Sequence, residues 1–425
     1  MELPPNKPRT LRWKIAFLLC LASALNYLDR NTLAILATTI QDDLGFSDVD
    51  YGTITAAFVF SYTIMYAITG RIIDRIGTKK GLAISVGGWS IVSMLHAAAH
   101  TIAQFSVFRF LLGIMESANF PAGIKSVTEW FPIKERALAV GIFNSGAAIG
   151  AAVAVPIVSF IALYHGWRMA FIVTGAIGLV WVVAWLRFYH LPEKHPRISS
   201  AEKALIALDD DASDGPAQAK VSIKTLMRRK ESWGCFAARI FIDPVTYFLL
   251  FWIPKYLQDK QGLSLHDVGA TVWIPYAALG VGTILGGAIP KWLVEKRQWS
   301  LNRSRKSVML FASVLIPLLC FVLYSYNGPT VALCAIAGIM LSHGLWSNIT
   351  LPTEIYPKHV QATITGIGGT LGGVTGFVTQ KLIGMTVGTY SYLPVFLYVA
   401  VAYIFTFALV VILIGRLGVI RKLSS

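Results

Sequence analysis

Charge is scarce in this chain, and negative charge scarcest. Only 14% of its 425 residues are Asp, Glu, Lys or Arg, and acids number 22 against 37 bases. So little charge excludes a water-soluble domain of this length. Cysteine is scarce too: Cys20, Cys235, Cys320 and Cys334 lie singly in apolar stretches without CxxC spacing, which excludes a disulfide framework and a zinc site. HExxH, GxSxG and P-loop sequences are absent, so hydrolytic and ATP-driven chemistry have no support. No enzyme activity and no cofactor are expected. His96 and His100 have i,i+4 spacing but no carboxylate partner, and no metal site is expected.

Apolar residues fill the space that charge leaves. They make up 55% of the chain, the mean hydropathy is +0.61, and segments of about 20 apolar residues recur about twelve times. These segments lie near 15–40, 51–70, 81–100, 102–127, 137–162, 168–190, 232–257, 269–292, 307–325, 329–351, 361–386 and 391–415. The expected fold class is an all-α membrane protein with twelve transmembrane helices. The first segment is too long for a cleavable signal and lacks a small-residue cleavage site, so it is expected to stay.

The formal charge of +15 raises nucleic acid as a partner, but its distribution excludes that. Bases cluster in alternate loops: Lys7 to Lys14, Arg71 to Lys80, Lys194 to Lys230, Lys291 to Lys306, and Arg416 to Lys422. The intervening loops carry few, among them Arg168, Lys255 and Lys260. This is the positive-inside pattern. It predicts an integral plasma-membrane protein with both termini cytoplasmic; the bases flank spans and form no groove with interleaved aromatics.

A repeat organises the chain. Thr128-Glu129-Trp130-Phe131-Pro132 recurs 225 residues on as Thr353-Glu354-Ile355-Tyr356-Pro357, and the register holds through Ala137/Ala362 and Gly141-Ile142/Gly366-Ile367. An offset of half the chain implies two six-helix halves with the same orientation and a binding site between them. The expected division is 1–190, a cytoplasmic linker 191–230, and 231–425. Within the linker, Ser199-Ser200-Ala201-Glu202 has capping-box form and predicts a short helix. Asp209 to Pro216 reads as a flexible tether.

Between the second and third spans stands Gly70-Arg71-Ile72-Ile73-Asp74-Arg75-Ile76-Gly77-Thr78-Lys79-Lys80. It resembles the signature G-x-x-x-D-[RK]-x-G-x-[RK]-[RK] of the major facilitator superfamily at every defined position. In this reading Gly70 and Gly77 allow close approach and a tight turn, Lys79 and Lys80 hold the loop inside, and Asp74 and Arg75 pair with helix ends at a cytoplasmic gate.

Asn26-Tyr27-Leu28-Asp29-Arg30-Asn31-Thr32, Phe120-Pro121-Ala122-Gly123-Ile124-Lys125, Glu129-Trp130-Phe131-Pro132 and Gly166-Trp167-Arg168-Met169-Ala170-Phe171 together resemble its anion:cation symporter branch. That resemblance implies uptake of organic acids with protons. Arg239 to Pro244 and Trp252-Ile253-Pro254 are similar to bacterial hexuronate transporters. The chain departs from the related aldonate transporters, with Ala147 in place of a polar amide and Gly368-Gly369 in place of an asparagine. Some hexuronate relatives lack an acid at the position of Asp29.

Asp29-Arg30 and Arg109…Glu116 interrupt otherwise apolar spans. A charge near the bilayer centre costs roughly 3 kcal/mol or more, so such residues mark substrate, ion or proton paths. Arg109 and Glu116 are seven apart, about 700° of helical rotation and roughly 10 Å of rise, and share one face. Adjacent Asp29 and Arg30 diverge by about 100°. Arg30 is expected to face the substrate, where its planar fork suits a carboxylate. Asp29 is expected to face the fourth helix and Arg109.

Glu116, with Asp29 and Arg109, is the expected proton-coupling group; a permanent Arg109–Glu116 bridge is the alternative. Tyr27 and Tyr62 offer hydroxyls and ring faces to a sugar, or packing alone. Asn144, Tyr247, His343 and Asn348 are further substrate candidates, with a hydrogen-bonded core histidine the other reading of His343. Arg239 and Asp243, at i,i+4, are expected to pair with each other. The function so implied is a monomeric, proton-coupled symporter of a hexuronate such as glucuronate or galacturonate. Another organic anion (aldonate, aldarate or aromatic carboxylate) and a nontransporting receptor on the same scaffold are the alternatives.

Overall fold

The computed structural model describes residues 11–207, 221–346, 350–418 and 420. The linker stretch Asp209 to Pro216 and the candidate Asn348 lie outside the described residues. Among the described residues the chain is helical, and its helices make twelve crossings. They are α1 (Leu11–Ile35), α2 (Asp48–Ile76), α3 (Thr78–Leu95), α4 (Ile102–Glu116 continued by Asn119–Trp130), α5 (Ile133–His165) and α6 (Trp167–Phe188). There follow α7 (Lys230–Phe251 continued by Ile253–Asp259), α8 (Leu265–Thr271 continued by Trp273–Arg297), α9 (Leu301–Ser325), α10 (Pro329–Trp346 with Leu351–Ile355), α11 (Lys358–Tyr390) and α12 (Leu393–Ile414).

Among the described residues, ten helices are long and apolar enough to cross a membrane. The other two crossings depart for chemical reasons. The first, α4, carries the intramembrane charges and breaks between Glu116 and Asn119, and α11 is diluted by glycine.

The 225-residue repeat is structural. Pro132 and Pro357 each precede a helix of 33 residues, α5 and α11, as suits a residue with fixed φ and no N–H to lose. Arg136 donates to the carbonyls of Phe131 and Thr128, and Gln361, its counterpart, donates to those of Tyr356 and Thr353. Glu129 accepts from Thr78 at the start of α3, and Glu354 pairs with Arg305 at the start of α9.

The end bearing the signature loop is open and the opposite end is closed. Near the closed end α2 and α11 touch through glycine: a Cβ on Gly52 would lie 2.8 Å from the Gln380 carbonyl, and one on Gly384 2.6 Å from that of Asp48. Farther in, Gly373 and Gly376 seat Thr63 and Tyr247. Toward the signature end, a Cβ on Gly70, Gly141, Gly287 or Gly366 would meet nothing within 4 Å. Gly77 makes the expected turn, at φ +81°, but Gly70 makes no close approach here.

Polar contacts seal the closed end. Lys255 of α7, almost wholly buried, pairs with Asp48 of α2 at 3.0 Å and with Asp259. Tyr51 donates to the Phe251 carbonyl at 2.6 Å, Gln258 to that of Ile35 at 3.2 Å, and Thr38 to Asp259 at 3.0 Å.

The linker helix forms as expected, at Ser200–Ala207, with the Ser199 hydroxyl accepting from the Glu202 N–H. It is more than a tether. The buried Glu202 carboxylate accepts from the N–H groups of Leu11 and Arg12 and from the Arg12 guanidinium at 3.1 Å. Arg12 also forks onto Glu135 at the start of α5. A carboxylate at the first turn of α1 satisfies N–H groups that have no partner within the helix. Glu202→Ala leaves Arg12 half-compensated and the α1 terminus uncapped. An expected loss of roughly 2–4 kcal/mol is checked by the unfolding midpoint of the purified protein in detergent.

Candidate functional site

α1, α2 and α4 bring together residues that lie far apart in sequence. Gly113 makes this possible, because a Cβ there would lie 2.2 Å from the Ser61 hydroxyl and 2.6 Å from the Phe58 carbonyl. With α4 so close to α2, the buried Glu116 reaches Arg30 of α1. Arg30 Nε and Nη2 donate to the same oxygen, Glu116 Oε2, at 2.9 and 2.8 Å, and Nη2 also donates to Asn26 Oδ1 at 3.1 Å. Glu116 Oε1 has no hydrogen-bond partner.

Three rings enclose this guanidinium: Tyr27 at 4.7 Å, Tyr62 at 4.9 Å and Phe58 at 5.0 Å from ring centroid to Arg30 Cζ. Cation–π contacts of this kind contribute about 0.5–2 kcal/mol each, most where water is excluded. Toward the closed end Arg30 is roofed by Leu33, Ala34, Tyr51, Thr55 and Phe251. Toward the open end a ladder of rings leads away: Phe58, Tyr62 and Tyr66 on α2 at 5.7 and 5.9 Å, then Phe120 at 6.4 Å and Phe143 at 6.0 Å.

The other two intramembrane charges sit differently from the sequence reading. Arg109 does not bond Glu116, although the two share a helix face. Its Nη1 donates to the Arg30 carbonyl at 3.2 Å, and its Nε and Nη2 have no partner. Asp29 turns from α4 toward α3, where Ser93 donates to its Oδ1 at 2.8 Å; its Oδ2 is buried without a partner. Helical rotation sets the direction in which a residue leaves its own helix, and the neighbouring helices decide what it meets.

Of the remaining candidates, Tyr247 joins the cluster from α7. Its ring stacks on Phe251 at 6.0 Å, and Phe251 meets Phe58 edge-on at 6.0 Å. His343 does not join it. One ring nitrogen bonds the Tyr403 hydroxyl and the other the Thr246 hydroxyl at 3.2 Å, a core histidine tying α10 to α12 and α7. Asn144 is exposed on α5.

At the open end Asp74 pairs with Lys125 of α4 at 2.7 Å, within its own half, and Arg75 and Lys80 are exposed. The backbone of Lys79 is held by the Trp185 indole at 3.0 Å. Phe58, Asn26, Ser93 and Tyr66 were not singled out from sequence. Two signals were available: the i,i+4 run of rings at 58, 62 and 66, and Asn26 one turn before Arg30.

A buried guanidinium paired with a carboxylate and ringed by aromatic faces can exchange that carboxylate for one on a ligand. It holds no nucleophile–base pair, and no cluster of metal-ligating side chains occurs among the described residues. Residues 19–380 match the Major Facilitator Superfamily. The chain is 32% identical to the hexuronate transporter of Escherichia coli K12, over 93% of this chain and 92% of that protein. It is 35% identical to the galacturonate transporter of Dickeya chrysanthemi, over 73% and 90%. A bacterial homologue of the human lysosomal transporter Spinster, solved in an inward-facing, unoccupied conformation, shares the fold with a TM-score of 0.77 at 17% identity, over 97% of this chain and 100% of that one. The chain belongs to the Major Facilitator Superfamily and is an integral membrane transporter, not an enzyme.

Proposed function

We propose that this chain imports a hexuronate, such as glucuronate or galacturonate, together with a proton, by alternating access across the bacterial inner membrane. The observation that carries the reading is the Arg30–Glu116 bond. The names of the hexuronate and galacturonate transporters it resembles supply the substrate class. The positive-inside pattern supports both termini and the signature loop lying in the cytoplasm, so that the closed end faces outward and the open end inward.

Arg30 has one fork and two carboxylates competing for it. When the substrate carboxylate takes the fork, Glu116 loses its counter-charge in a dry site and takes up a proton. When Glu116 releases that proton to the cytoplasm, it reclaims Arg30 and displaces the substrate. A free Arg30–Glu116 pair at an inward-open site corresponds to the state after release.

Glu116 is therefore assigned the coupling proton, with Arg30 in place of Arg109 as the cation it answers to. Arg109 positions the α1 backbone, and Asp29, on the α3 side, is a second acid that would sense the same charges. Tyr27 and Tyr62 give the sugar ring faces and hydroxyls; Tyr247 and Asn144 would close on it from α7 and α5. The segments 1–190 and 231–425 would rock as two bodies in a monomer, joined by 191–230, with Asp74, Arg75 and Lys79-Lys80 at the gate that shuts when the other opens.

Proteoliposomes loaded with the protein should accumulate radiolabelled glucuronate when an inward proton gradient is imposed. Arg30→Ala should abolish uptake, and Glu116→Gln should abolish accumulation while sparing exchange of substrate across the membrane. One proton per monoanion makes transport electroneutral, so a clear substrate-induced current would count against the stoichiometry. Absence of glucuronate and galacturonate uptake by folded protein would move the assignment to another organic anion.

The closed end gives a separate prediction. Lys255→Gln removes the buried cation that holds Asp48 and Asp259, a loss of roughly 3 kcal/mol to this conformation. Spin labels at the exposed Asp42 and Lys260 should report longer distances in Lys255→Gln than in the parent, measured by double electron–electron resonance on a background lacking Cys334.

A further inference from the structure

A second ion pair lies on α7, packed against α11. Arg239 Nε and Asp243 Oδ2 of α7 are 2.9 Å apart, with side chains 22% and 11% exposed. The space they occupy is carved out of α11 by glycine. A Cβ on Gly372 would lie 2.1 Å from Asp243 Oδ2, one on Gly368 3.2 Å from Arg239 Cγ, and one on Gly369 3.5 Å from Arg239 Nη2. Tyr247, one turn along α7 from Asp243, is seated against Gly376 of α11 and stacks on Phe251, which meets Phe58 of the Arg30 cage. The sequence reading expected Arg239 and Asp243 to pair, and they do; their place one and two turns before Tyr247 on α7 puts them on the wall that a ligand held by Arg30 would face.

The chemistry of the pair is that of a hydroxyl reader. Its guanidinium donates, its carboxylate accepts, and its net charge is zero, so it satisfies sugar hydroxyls without calling for an anion. A second carboxylate placed there would meet Asp243 at close range, and Arg239 is already engaged. We infer that the Arg239–Asp243 pair is the hydroxyl-reading end of the site, and that its internal neutrality selects substrates with one carboxylate over those with two. This rests on the sugar-acid reading of the Arg30 site. Asp243, by tying up Arg239, is the specificity-determining residue.

Galacturonate and galactarate make the test, because they share configuration at four carbons and differ at C1, a ring hemiacetal in one and an open-chain carboxylate in the other; the change of their ratio between parent and variants isolates the charge from the ring. Full-length protein in proteoliposomes would take up radiolabelled galacturonate in competition with either unlabelled compound, at a pH where all carboxylates are ionised. Thermal-shift titration of the purified protein with the same two compounds gives a binding ratio that does not require transport. In the parent, galacturonate should outcompete galactarate by about 10-fold or more, the order expected of one uncompensated charge in a partly buried site. Asp243→Asn frees Arg239 and should shift the ratio toward galactarate by about 10-fold. Arg239→Gln leaves Asp243 uncompensated and should shift it the other way, which keeps the test decisive should Asp243→Asn fail to fold. A ratio unchanged in the variants, or a parent that takes both compounds equally, overturns the inference and leaves the sugar-acid reading intact. Folded parent protein that binds and transports neither compound overturns both.

Discussion

One constraint organises this molecule: the buried guanidinium at the centre of the site needs a carboxylate to answer its charge. Arg30 finds it in Glu116, 86 residues away in sequence, at 2.8 Å. The pair requires α4 to sit against α2 closely enough that only glycine fits at position 113. The cage of Tyr27, Phe58 and Tyr62 then lowers the cost of burial by offering ring faces where water would otherwise stand. Both hydrogen bonds from Arg30 to Glu116 reach a single oxygen, Oε2.

Much of this was legible in the sequence because bilayers punish exceptions. Charges at positions 29, 30, 109 and 116 stand out in apolar runs, the signature loop is dense with defined positions, and the repeat places α5 and α11 in register to the residue. What escaped was the choice of partner. Seven residues bring Arg109 and Glu116 to one face, but a side chain as long as arginine can reach along or across that face. The Arg30 carbonyl and the Arg30 guanidinium lie on α1, whose distance from α4 no single-helix argument supplies. Asp29 facing Ser93 is the same lesson, as α3 from Gly81 to Leu95 carries no charge to announce it. His343 was ambiguous because a core histidine and a ligand histidine look alike until Thr246 and Tyr403 are seen on its two nitrogens.

The closed end shows how the same repeat yields an asymmetric molecule. α2 and α11 approach to backbone contact at Gly52 and Gly384, and the gap widens past Gly373 until Gly366 touches nothing. Glycine makes the approach possible but does not favour it, as it removes an obstacle and adds no attraction. Attraction comes from Lys255, which brings one cation to Asp48 across the interface and to Asp259 on its own helix. Because Asp259 stays beside Lys255 when Asp48 leaves, opening does not strand a bare charge. The barrier to opening is lowered accordingly, which a gate that cycles needs and a static seal does not.

The three ion pairs of the transport path differ in what can break them, and the difference follows from where their partners are attached. Arg239 and Asp243 lie four residues apart on one helix, so no movement of the halves separates them, and they can serve as a fixed reading surface. Lys255 and Asp48 belong to different halves; their contact reports and resists the conformational change itself. Arg30 and Glu116 lie on two helices of one half, so the rocking proposed for the halves would leave them together and only chemistry would part them, whether a proton on Glu116 or a competing carboxylate on Arg30. The proposed coupling needs that arrangement. A proton carrier whose partner was pulled away by the motion would ionise according to conformation alone, whereas one whose partner is claimed by the substrate ionises according to occupancy, and the proton and the anion then have to travel together.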